Sequence, residues 1–125
     1  MKYLGIDYGL RRIGLATSEG EIASPLRVIE VKGSKEAVEK ILDLVKVESA
    51  DQIVVGLPEG KMGQTVLGFI KALEKRGVDV VKADETLSSK KALQQMIDLN
   101  ISKRDRKVSD DYSAAIILQD YLDSL

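Results

Sequence analysis

The chain has 125 residues, 44% of them hydrophobic, with 20 Asp and Glu against 19 Lys and Arg for a net charge of -1. That length suits one compact domain, and the balance of charge excludes a uniformly basic nucleic-acid coat while allowing a local basic patch. Histidine and cysteine are both absent. Imidazole bases, Ser-His-Asp and Cys-His nucleophiles, thiol redox, disulfides and Cys/His zinc sites are therefore excluded, which leaves carboxylates, hydroxyls, Lys, Arg and a bound metal for chemistry.

Met1 to Gly5 runs straight into a strand-like segment without a charged leader or an apolar signal core, and no apolar run approaches membrane-spanning length. A cytoplasmic protein is expected. Tyr3 to Asp7, Ile13 to Ser18 and Leu26 to Val31 read as short strands, with Gly9 and Gly14 as turn residues in the first gap and Gly20, Ser24 and Pro25 in the second. Such short connections suit antiparallel neighbours. Behind Ser34, a candidate N-cap, Ala37, Val38, Ile41, Leu42 and Val45 recur at helical spacing.

Ile53-Val54-Val55-Gly56 then reads as a buried strand, Val66, Ile70 and Leu73 as a second helix ending near Gly77, and Val78 to Val81 as a fifth strand. Ala92, Leu93, Met96 and Ile97 mark a third helix, and Ala114, Ile117, Leu118, Tyr121, Leu122 and Leu125 a fourth. No repeat or Pro/Ser-rich linker divides the chain, so one domain over residues 1–125 is expected. The order βββαβαβαα predicts an α/β fold with a mixed five-stranded sheet and helices on both faces, which resembles the layout of the ribonuclease H-like fold.

Acids fall where this topology ends its strands and begins its last helix. Asp7 closes the first strand, in the crevice position of an open α/β sheet; the alternative is an Asx-turn at the hairpin entry. Asp84 and Glu85 follow the fifth strand, either as members of a cation site or as a surface turn into the third helix, which Ser88 or Ser89 would cap. Asp110 and Asp111 begin the last helix, where capping and the macrodipole favour acids, and Asp111 lies three, four and seven residues before Ala114, Ala115 and Leu118, close to the inward stripe.

Three converging carboxylates make a hard-oxygen site for Mg²⁺ or Mn²⁺, which suits phosphodiester hydrolysis. Basic residues flank these acids. Arg11 and Arg12 follow Asp7, and Lys103, Arg104, Arg106 and Lys107 precede Asp111; they read as phosphate-backbone contacts, with a merely solvated face as the alternative. Tyr and Phe number only five, so recognition by base stacking is expected to be minor.

Gly5-Ile6-Asp7-Tyr8-Gly9 with Arg11-Arg12-Ile13-Gly14, then Ile22-Ala23-Ser24-Pro25, Ile53-Val54-Val55-Gly56-Leu57-Pro58, Asp84-Glu85-Thr86-Leu87-Ser88-Ser89 and Ala114 to Leu122 resemble the YqgF family, also called RuvX. The resemblance runs in order over essentially the whole chain. It implies a ribonuclease H-like fold related to the RuvC resolvases, and a nuclease for the 5′ end of pre-16S ribosomal RNA or a Holliday junction resolvase. It also implies Asp7, Glu85 and Asp111 as the catalytic, metal-holding acids. Two departures stand out: Thr86 occupies the place of the family's arginine after Asp-Glu, and Glu59-Gly60-Lys61-Met62-Gly63 replaces its Asn-x-Asp-Gly stretch. Glu59 reads as a loop charge, with an additional site acid as the alternative, and Asp84 and Asp110 rank with it as secondary acids.

The expected activity is therefore a metal-dependent endonuclease on structured RNA, with ribosomal precursor particles as partners. Branched DNA is the alternative substrate, and a non-catalytic nucleic-acid-binding module the alternative class. The chain would act as a monomer or a homodimer, and a two-fold junction favours the dimer.

Overall fold

The computed structural model describes residues 1–84 and 110–125, and the predicted helix around Ala92 to Ile97 lies outside them. Five strands, β1 (Tyr3–Tyr8), β2 (Arg12–Ser18), β3 (Ser24–Glu30), β4 (Gln52–Leu57) and β5 (Val80–Asp84), form one sheet in the order β3-β2-β1-β4-β5. β1 pairs antiparallel with β2, and β2 with β3, as the short connections predict. β1 pairs parallel with β4, and β4 with β5, through the helical crossovers α1 (Ser34–Glu48) and α2 (Gly60–Lys75). The last helix among the described residues, α3 (Asp110–Asp123), touches all five strands.

Alternation along the strands divides the core into two layers. Leu4, Ile6 and Tyr8 of β1, with Ile13 and Leu15 of β2 and Ile53 and Val55 of β4, pack beneath α1 and α2. Tyr3, Ala16 and Val54 face the other way and pack beneath Ala114, Ile117 and Leu118 of α3. The helices thus cover both faces, as the ribonuclease H-like layout requires.

Several boundaries differ from those read in the sequence. Ser34 is the first helical residue, and Gly33 takes the cap position, its carbonyl accepting from the Ala37 N–H at 3.0 Å. β3 begins at Ser24 and accommodates Pro25 because it is an edge strand with a register irregularity opposite Leu15 and Ala16. It ends at Glu30, and the next N–H, that of Val31, still donates to the Arg11 carbonyl at 2.9 Å. The Val78 N–H returns to the Leu73 carbonyl in the turn after α2, so β5 starts two residues late and runs to Asp84. Asp84 therefore closes the strand instead of following it. Leu125 lies beyond the end of α3 and is exposed.

Candidate active site

Asp7 is half-buried near the end of β1, directly opposite Gly14 of β2. It shares a sheet face with Tyr3 and Gly5, the face that α3 covers. The first turn of α3 comes down on Gly14. A Cβ there would overlap the Asp110 carbonyl and stand 2.9 Å from the Asp111 backbone nitrogen, so the close approach requires glycine. Gly5 is covered in the same way, since a Cβ would lie 2.8 Å from Leu118 Cβ and 3.0 Å from the Ala114 carbonyl oxygen.

Asp7 and the Asp111 backbone consequently flank one glycine on the same side of the sheet. Cross-strand spacing together with the seat of the helix on Gly14 keeps Asp7 Cα within roughly 10 Å of the Asp111 nitrogen. Both acids are half-buried, and Asp111 stands in the first turn of α3, where unpaired N–H groups favour negative charge. Its Oδ1 accepts from the Tyr112 N–H at 3.0 Å.

Asp110 takes a different partner. Its Oδ2 lies 3.3 Å from Arg12 Nε and ties the start of β2 to α3. With the two side chains 44% and 36% exposed, the pair contributes no more than about 1 kcal/mol to stability. Arg11, the other cation of this turn, is exposed.

Two further acids lie at the ends of β4 and β5. Asp84 is in register with Leu57, whose side chain packs toward α1 and α2, yet at the strand end it also lines a cleft of about 490 Å³ with Asp120, Tyr121 and Asp123 of α3. Glu59, at the cap position of α2 without a side-chain cap bond, lines with Asp84 and Lys82 a cleft of about 280 Å³ at the ends of β4 and β5. Glu85, Lys103, Arg104, Arg106 and Lys107 lie outside the described residues. Among the described residues no three acids converge closely enough to hold a metal ion together.

Sequence reasoning missed the glycines on which α3 rests. Gly14 reads as a turn residue because it follows Gly9 and two arginines; the available signal was its place inside an otherwise apolar strand, which marks a close backbone approach.

Solved structures share this architecture. The RuvC of T. thermophilus in complex with a Holliday junction substrate superposes with a TM-score of 0.58 at 20% identity, over 99% of this chain and 94% of that one. The fowlpox virus Holliday junction resolvase does so with a TM-score of 0.62 at 12% identity, over 99% of each chain. These likenesses establish the fold. Among curated relatives, the protein named "Putative pre-16S rRNA nuclease" of Endomicrobium trichonymphae is 37% identical over 98% of this chain and 95% of its own length. Its namesake in Caldanaerobacter subterraneus subsp. tengcongensis is 38% identical over 99% of this chain and 97% of its own.

The fold and these relatives together define a nuclease of the ribonuclease H-like class. Within that class the chain belongs to the RuvX family, whose model, described as Holliday junction resolvase, matches residues 1–124.

Proposed function

We propose that this chain is a divalent-metal-dependent endonuclease that processes the 5′ end of pre-16S ribosomal RNA in the cytoplasm, acting on ribosomal precursor particles. The juxtaposition of Asp7 and Asp111 across Gly14, with Arg12 at its edge, is the observation that carries this reading. The relatives' shared name supports the substrate.

Asp7, Glu85 and Asp111 would hold Mg²⁺ or Mn²⁺. The donors fit such an ion, being carboxylate oxygens in a chain that has neither imidazole nor thiolate to offer a softer metal. A bound ion supplies activation of the attacking water and stabilisation of the leaving oxygen. The polypeptide supplies the frame: sheet pairing fixes Asp7, and the seat of α3 on Gly14 fixes Asp111. The role of Glu85 rests on the family resemblance alone. Arg11, Arg12, Lys103, Arg104, Arg106 and Lys107 would bind phosphates and position the backbone without reading sequence. Glu59 lines the cleft at the ends of β4 and β5, and Asp84 lines both that cleft and the one against α3.

A second reading, cleavage of four-way DNA junctions, is favoured by the description of the family model. Cleavage of a precursor-rRNA fragment and of a four-way DNA junction, assayed in parallel with and without Mg²⁺ or Mn²⁺, separates the two. Metal-dependent cleavage of the RNA is expected, with Asp7→Asn reducing it at least about 100-fold while the fold is retained. Preference for the junction would move the function to DNA. Binding without turnover on either substrate would make the chain a non-catalytic module.

A further inference from the structure

A second concentration of charge lies at the same end of the sheet, on its α1 side. Arg11, Arg12, Lys32 and Lys40, with Glu30 and Glu36, line a groove of about 540 Å³ between the β1–β2 turn, the β3–α1 connection and the first turns of α1. The groove is built by the backbone. Val31 is buried and its N–H donates to the Arg11 carbonyl at 2.9 Å, which holds Lys32 beside Arg11.

Its charges are unequally engaged. Lys40 Nζ donates to the Glu30 carbonyl at 2.8 Å and pairs with Glu36 at 3.3 Å, so one of the two carboxylates already has a cation. Arg12 reaches Asp110 on α3, and Asp110 adjoins Asp111. Arg11 and Lys32 are exposed and make no ion pair with the described residues. Arg12 is therefore the physical link between the acids on the α3 face and two exposed cations on the α1 face.

We infer that this groove receives the sugar-phosphate backbone of the substrate on one flank of the cleavage position, with Arg12 exchanging its Asp110 partner for a phosphate and Arg11 and Lys32 taking the phosphates beyond it. The inference rests on the nuclease reading above, and it adds Lys32 and a direction of travel around the β1–β2 turn. Guanidinium and ammonium groups on a continuous path suit a polyanion, and Arg adds two-point contact with each phosphate. Continuity with the acid pair through Arg12 favours a nucleic acid over an acidic peptide.

The test measures binding, without divalent ions, of the precursor-rRNA fragment and the four-way DNA junction to full-length Arg11→Ala, Lys32→Ala and the double variant over a range of salt concentrations. Each single change is expected to weaken affinity about 3- to 10-fold near 0.1 M salt and to reduce the slope of log K against log salt by about 0.7–0.9. Lys71→Ala, an exposed change on α2, controls for loss of charge alone and is expected to leave both unchanged. Wild-type affinity and slope in the double variant would overturn the groove, even if Asp7→Asn abolishes cleavage. Wild-type cleavage by Asp7→Asn would instead overturn the acid site, while the affinities still decide the groove.

Discussion

Gly14 carries more of the candidate site than its lack of a side chain suggests, because the first turn of α3 rests on its Cα. Gly14→Ala is expected to cost about 1–3 kcal/mol through overpacking. It should also reduce metal-dependent cleavage by a larger factor than that destabilisation explains, since relieving the overlap moves Asp111 away from Asp7. Urea unfolding and cleavage rates on the same preparations check both parts. Asp110→Asn makes the contrast: its bridge to Arg12 is more than a third exposed, so stability should change by less than about 1 kcal/mol.

Tyr8, one residue beyond Asp7, faces the opposite layer and is 4% exposed, its ring centroid 4.3 Å from that of Phe69. Burial pushes its phenol above the usual 10.0. An acid whose pKa is raised on folding contributes stability that is complete below the unfolded value and is lost as pH rises through the folded one. Equilibrium unfolding across alkaline pH should therefore show a loss of stability beginning near pH 10, and Tyr8→Phe should diminish it.

Among the elements, α3 does most to join fold and site. Ala114, Ala115, Ile116, Ile117 and Leu118 are all buried, and Leu118 packs against Gly5 of β1. Leu118→Ala is expected to cost about 2–5 kcal/mol and to lower the thermal midpoint, because it empties the layer beneath the helix. Spacing in the sequence located the described helices and strands well, since a 3.6-residue stripe and an apolar β-branched run each survive in a single segment. It misplaced their ends where distant partners decide them. Val78 is drawn into the turn after α2 by Leu73, and Pro25 enters a strand because that strand is at an edge.

Across the whole molecule, the parallel strands β1, β4 and β5 bring their carboxyl ends, and with them Asp7, Glu59 and Asp84, to one side. If the Asp7 site holds the essential ion, chelation should abolish cleavage and added Mg²⁺ or Mn²⁺ should restore it in the wild type. Glu59→Gln, in the separate cleft, should respond as the wild type does, and rates measured before and after chelation and re-addition check this. The fold class and the antiparallel-then-parallel order were legible in the sequence, because each depends on local period or connection length, and the position of Asp7 and Asp111 at the ends of their elements was legible for the same reason. The same local information left Asp84, Glu59 and Asp110 as equals. The tertiary structure gave them different neighbours: Asp110 pairs with Arg12, while Glu59 and Asp84 share a cleft. Which acid meets which follows from strand register, from the face each position turns to, and from a helix seated on a glycine nearly a hundred residues earlier in the chain.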